Sequence, residues 1–217
     1  MGSAVQLHSF FNSSTSYRVR IALALKGVAF DTLPVNIRKG EHRAVNYIAN
    51  VNPSAAVPAI VDDGFTLGQS IAIIDYLDQV HPEPRLIPLQ THSRARVLEF
   101  ASLIACDIHP VNNLRVLRYL ETELGVTAQQ KSDWYRHWIA EGMESVERML
   151  AREYSGPWCF GNQPTLADVC LVPQISNALR MGCDLRPYAR SLAVYEFAAD
   201  HPAFVRAAPA RQPDFVA

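Results

Sequence analysis

Hydrophobic and polar positions alternate at the start of the chain. Val5, Leu7, Ser9 and Phe11 fall on one face and His8 and Phe10 on the other, which predicts a first strand. The spacing then changes to that of a helix over Val19, Ala22, Leu23 and Lys26, with Ile21 and Leu25 alongside and Gly27 suited to its C-terminal end. Alternation returns from Phe30 through Leu33, Val35 and Ile37, so the opening third reads strand, helix, strand, a right-handed βαβ unit. Residues 41–50 predict a short polar helix. An extended run begins at Val57-Pro58, Asp62-Asp63-Gly64 makes a turn, Phe65–Gly68 returns, and a helix with Ile73, Ile74, Leu77 and Val80 on one face follows Ser70, its predicted N-cap.

HPEPRLIPL, residues 81–89, carries three prolines and marks the predicted domain boundary. Domains are expected over 1–85 and 90–217. Beyond the boundary the pattern is helical over 92–123 and 128–154, broken by SGPWCFGNQP at 155–164, and helical again from Thr165. TLAD, residues 165–168, has the form of a capping box, which gives Asp168 a structural role. The closing PARQPDFVA is expected to be loosely ordered.

Composition narrows the function more than the fold. Hydrophobic residues make up 49%, charged residues 19%, and the net charge is −1, which leaves no extended basic face for nucleic acid. Cys106, Cys159, Cys170 and Cys183 are far apart, without metal-ligand spacing or a disulfide framework, so no metal is expected and a reducing cytoplasm fits. No signal segment and no apolar run of bilayer length is evident, so neither secretion nor membrane insertion is expected.

Three stretches offer chemistry. SSTS, residues 13–16, lies between a strand and a helix start, where backbone N–H groups lack partners and the helix dipole favours negative charge; the bland reading is a helix cap. Val57-Pro58 starts a strand where a peptide backbone could pair. Gln69-Ser70 opens another helix and suits a carboxylate. Arg18 and Arg20 read as solvated-face residues of the first helix, His109 as a helix-end or core histidine, and Arg180 as a surface arginine.

SSTSYRVRIALALKG at 13–27, NPSAAVP at 52–58, QSIAI at 69–73 and TLADVCLVPQ at 165–174 closely resemble zeta-class glutathione transferases, in order along essentially the whole chain. That family includes maleylacetoacetate isomerase and the bacterial glutathione-dependent maleylpyruvate isomerases, and CDIHPVNNLRVL at 106–117 looks most like the latter. The resemblance implies a glutathione transferase fold, an α/β thioredoxin-like N-terminal domain plus an all-α C-terminal helical domain, in a homodimer that uses glutathione on a small dicarboxylic keto acid. It implies catalytic roles for Ser13 and Thr15, with Ser13 beside the glutathione sulfur and Ser14 on the same turn. Val57 would pair with the cysteinyl backbone, and Gln69 and Ser70 would hold the γ-glutamyl end. His42, His109, Asn113 and Arg115 would line the glutathione site, while Arg180 and Asn12 fall at substrate-binding positions.

A free thiol with a pKa of about 8.5 is only about 3% ionised at pH 7. An isomerase that adds a thiolate to a conjugated double bond therefore needs a hydroxyl and a helix start that stabilise the anion. Two departures stand out: many members have cysteine at Thr15 and arginine at Asn12. The latter keeps open a second reading, transfer or dehalogenation of small α-halo acids, and a third is a binding protein without catalysis.

Overall fold

The computed structural model describes residues 4–216. These form two compact units, one made of residues 4–86 and 199–216, the other of Ile87–Ala198.

The first unit is built on a four-stranded sheet. β1 (Val5–Ser9) lies parallel to β2 (Phe30–Pro34), with Val5 opposite Phe30 and Ser9 opposite Pro34. On its other side β1 is antiparallel to β3 (Ala59–Asp62), which pairs with β4 (Phe65–Gly68), giving the order β2-β1-β3-β4. α1 (Ser14–Leu25) is the βαβ crossover, and Gly27, with φ of +66°, ends it in the left-handed conformation that glycine adopts at little cost. The predicted polar helix is split into a 3-10 turn, Glu41–Arg43, and α2 (Val45–Asn50). α3 (Ser70–Val80) follows β4, and this is the thioredoxin-like arrangement that the resemblance implies.

α1 differs from its prediction in one respect. It is buried almost all round, and Arg18 and Arg20 are each only 1% exposed rather than solvated. The C-terminal segment is the reason on one side. α9 (Pro202–Ala207) packs against α1: Tyr17 donates from its hydroxyl to the Phe204 carbonyl, Arg20 to the Ala207 carbonyl, and Arg206 to the Ala24 carbonyl. Residues 199–216 therefore belong with the first unit, whereas the sequence pattern placed everything from 90 onward in the helical domain. Nor is the tail loose. It forms a 3-10 turn at Pro209–Arg211, the Asp214 carboxylate accepts the Phe11 N–H at 2.9 Å, and the Phe215 ring meets that of Phe11 edge-on.

The second unit is helical: α4 (Thr91–Ser102), α5 (Leu114–Thr122), α6 (Ala128–Glu153), α7 (Leu166–Arg180) and α8, which starts at Ala189. Phe100, Ile104, Ile139, Met143, Val146, Leu150 and Val169 fill its core. The helix predicted over 92–123 is interrupted by a π-helical turn, Leu103–Ile108, and a 3-10 turn, Pro110–Asn112. α6 comes so close to the π turn that a Cβ on Gly142 would lie 2.4 Å from Ile108 Cγ1. The capping box forms as predicted: the buried Asp168 carboxylate accepts the Thr165 N–H and the Cys159 N–H, each at 2.7 Å, and its pKa is pushed up by burial. No described helix is long and apolar enough to cross a membrane.

Candidate functional site

The hydroxyl turn occupies the junction of β1 and α1. Ser13 is the N-cap of α1, and its Oγ accepts the Ser16 N–H at 3.2 Å. Ser13 and Thr15 hydroxyls are 2.9 Å apart, and the Thr15 hydroxyl donates to the Val57 carbonyl at 3.1 Å. Thr15 has one proton and gives it to Val57, so the proton between the two hydroxyls comes from Ser13. The result is a relay from Ser13 through Thr15 to Val57. Ser14 is buried, Asn12 and Ser13 are half-buried, and the Val57–Pro58 bond is cis.

Two groups that read as unimportant in the sequence hold this turn in place. Arg20 donates to the Ser9 hydroxyl at 3.0 Å and to the Phe10, Phe11 and Ala207 carbonyls at 3.4, 3.0 and 2.9 Å, so most of its planar fork is used on backbone flanking the turn. Burial pushes its pKa down to about 10, against the favourable effects of Tyr17 and Asp214. Asp214 fixes Phe11 from the other side. Neither has a signal in the local sequence, because their partners are backbone groups or lie far along the chain.

Val57 ends a loop that is clamped one residue before it. The Ala56 carbonyl accepts from both Tyr47 Oη at 2.7 Å and Asn52 Nδ2 at 2.8 Å. Asn52 is buried, and a Cβ on Gly68 would meet its side chain at 3.0 Å, so Gly68 leaves room for the clamp.

At α3 the prediction is off by one residue. Gln69 occupies the N-cap position with φ of +68°, a left-handed conformation unusual for a residue with a side chain, while Ser70 is the first helical residue and 5% exposed. Its Oγ accepts from Arg18 Nη1 at 3.4 Å. His42, in the 3-10 turn, is buried.

In the helical unit the π turn delivers His109 at its C-terminal end, and Pro110 starts the next turn. His109 Nε2 and Asn113 Nδ2 are 3.5 Å apart; Asn113 caps α5 by accepting the Arg115 N–H at 3.2 Å, and the Arg115 side chain is exposed. The loop is tied to α6 by Trp134 Nε1 donating to the Val111 carbonyl and Asn112 Nδ2 to the Tyr135 carbonyl. Tyr135 also reaches α7: its hydroxyl accepts from Asn177 Nδ2 at 2.7 Å, and the Asn177 side-chain oxygen accepts from Arg180. His109 and Asn113 thus share the loop that leads into α5, whose first turn carries Arg115, and Tyr135 links that loop to the segment carrying Arg180.

A hydroxyl-capped helix start beside a clamped backbone edge, in a thioredoxin-like sheet, defines a protein of the glutathione transferase type. Residues 3–79 match the family described as glutathione S-transferase, N-terminal domain. The maleylacetoacetate isomerase of Pseudomonas aeruginosa is 45% identical over 213 residues, covering 97% of this chain and 98% of that one. A holo structure of maleyl pyruvate isomerase, described as a bacterial zeta-class glutathione S-transferase, superposes with a TM-score of 0.94 at 42% identity, covering 97% of this chain and all of the other. The maleylacetoacetate isomerase from Anaeromyxobacter dehalogenans, solved with dicarboxyethyl glutathione and citrate in its active site, gives a TM-score of 0.87 at 36% identity, covering 98% and 94%. The chain belongs to the zeta-class glutathione transferases, the family of the maleylacetoacetate and maleylpyruvate isomerases.

Proposed function

We propose that this protein is a glutathione-dependent cis–trans isomerase that converts maleylacetoacetate or maleylpyruvate to the fumaryl isomer in the breakdown of aromatic compounds or tyrosine. The observation that carries this reading is the set of partners of Ser13: another hydroxyl and a backbone N–H, with no carboxylate or imidazole among them. A serine without a base is poorly equipped to be a nucleophile. A hydroxyl donor at the start of a 12-residue helix is well equipped to hold an anion.

Bound glutathione supplies a thiol whose anion adds reversibly to a conjugated double bond and so lets that bond turn. The protein's own part is to keep the sulfur deprotonated and the substrate oriented. Ser13 turns its proton from Thr15 toward the sulfur, while Thr15 keeps its own on the Val57 carbonyl and holds the turn. A hydrogen bond to a charged acceptor contributes about 1.5–3 kcal/mol and the helix start about 0.3–1 kcal/mol. Together they match the roughly 2.7 kcal/mol that a two-unit fall in pKa requires.

The glutathione backbone is assigned to Val57 and its γ-glutamyl end to Gln69 and Ser70, with Ser14, His42, His109, Asn113 and Arg115 as further contacts. Arg18 supports the fit, because two of its buried nitrogens have no hydrogen-bond partner among the described residues, as expected of a site made for an anion. Arg180, braced by Asn177, is assigned to a substrate carboxylate and Asn12 to the substrate's other end. Dicarboxyethyl glutathione, held by the Anaeromyxobacter relative, carries two carboxylates on a two-carbon chain joined to glutathione, the functional groups this reaction brings together.

An assay on both maleyl acids with substoichiometric glutathione tests the reading. Many turnovers per glutathione are expected, and consumption of one equivalent per substrate would overturn it. Halide release from small α-halo acids without isomerisation would favour the transferase reading instead. The protein is further proposed to be a cytoplasmic homodimer; elution at the monomer mass in sizing chromatography would contradict the dimer.

A further inference from the structure

We propose that Arg18 is a positioning residue for glutathione: a buried cation that acts through Ser70 to hold the γ-glutamyl carboxylate at the start of α3. The inference rests on the assignment of Gln69 and Ser70 to that end of glutathione, and adds to it a residue outside the binding turn.

Three observations carry it. Arg18 is 1% exposed, and its hydrogen bond from Nη1 to Ser70 Oγ is long at 3.4 Å; Nε and Nη2 are shielded from solvent and have no hydrogen-bond partner among the described residues. A buried charge in that state is strongly unfavourable, so its place in the fold points to a group that arrives later. Second, the surroundings add positive potential where a cation should be unwelcome. Ser70 is the first residue of the 11-residue α3, and the start of a helix repels a cation and attracts an anion. Third, Gln69, immediately before Ser70, is held at φ of +68°, the kind of backbone strain that clusters at ligand clamps. A carboxylate meeting Ser70 fits all three: it accepts hydrogen bonds from the Ser70 hydroxyl and the helix-start N–H groups, while Arg18, behind the Ser70 oxygen, supplies the opposite charge.

The test is calorimetric titration of the full chain with two probes: glutathione, and 4-aminobutanoyl-cysteinyl-glycine, which lacks only the γ-glutamyl carboxylate. Wild type is expected to prefer glutathione by about ten- to a hundredfold, the worth of one charge-assisted hydrogen bond. Arg18→Met should lose that preference by weakening glutathione alone, and Arg18→Lys, which keeps a charge, should retain most of it. In the isomerisation assay Arg18→Met should raise KM for glutathione and leave kcat in place. If Arg18→Met does not fold, Arg18→Gln takes its place with the same expectations. Equal weakening of both probes, or of neither, overturns the proposal. A wild type that binds both probes equally also overturns it while leaving glutathione binding intact; a wild type that binds neither refutes the glutathione assignment itself.

Discussion

Arg18, on α1, and Lys26, its C-cap, are two buried cations eight residues apart, and their partners on α3, Ser70 and Asp78, are themselves eight apart. At one end of this seam Lys26 meets Asp78 at 2.7 Å with both side chains essentially inaccessible, and the same Nζ donates to the His81 and Pro84 carbonyls at 2.7 and 2.9 Å. Its three protons have three acceptors. At the other end Arg18 has Ser70 at 3.4 Å and two nitrogens with no hydrogen-bond partner among the described residues. The paired cation belongs to folding, tying α1 to the chain that leaves α3, where Asp78 also accepts the Leu86 N–H. The other is the one proposed for binding. Arg20, between them, serves the site by holding the backbone that carries Ser13.

Breaking the paired end should have the largest effect. Lys26→Met leaves Asp78 buried without its counter-ion and should cost about 3–5 kcal/mol, read from chemical denaturation; a loss under about 1 kcal/mol would mean that the seam is not held by this pair. Arg20→Met should cost about 2–3 kcal/mol by leaving buried carbonyls without donors, and should lower turnover further by loosening the Ser13 turn. Arg18→Met is the sharp contrast. Without ligand it should leave stability unchanged or raise it by about 1 kcal/mol, since an apolar chain replaces an unpaired charge; a loss as large as that of Lys26→Met would erase the distinction between the two ends. A modest effect is expected in the helical unit, where Asn177→Ala removes the brace of Arg180 and should raise KM for the dicarboxylate a few-fold, about 1 kcal/mol, with kcat unchanged.

The sequence pattern reached the sheet and the hydroxyl turn because both are local. Alternation at Val5, Leu7 and Ser9, the serine before a helical spacing, and the Asp62-Asp63-Gly64 turn each declare themselves within a few residues. The helix polarity of α1 misleads for a physical reason: Arg18 and Arg20 look like a solvated face, yet their acceptors are serine hydroxyls and backbone carbonyls, brought together only by the tertiary fold. The tail was hidden in the same way. PARQPDFVA has little hydrophobic content, and what fixes it is one carboxylate on the Phe11 N–H and one ring contact, more than 200 residues back along the chain. The π turn at Leu103–Ile108 keeps helical composition and so left no mark in the periodicity, although it sets where His109 emerges. Among the site residues, Ser13, Thr15 and Val57 are joined by hydrogen bonds in the structure, and Tyr135 bridges the loop of His109 to Arg180, a connection no spacing in the sequence announces.

The proposed function turns on the state of the glutathione sulfur assigned to Ser13. The most direct measurement is the pH titration of thiolate absorbance for glutathione bound to wild type and to Ser13→Ala. Below its pKa the thiol is neutral and above it charged, so a hydroxyl and a helix start that favour the anion must move the transition to lower pH. For wild type the midpoint is expected about two units below that of free glutathione, and Ser13→Ala should return it by about 1–2 units toward the free value. Coincident midpoints for wild type, Ser13→Ala and free glutathione would contradict the account.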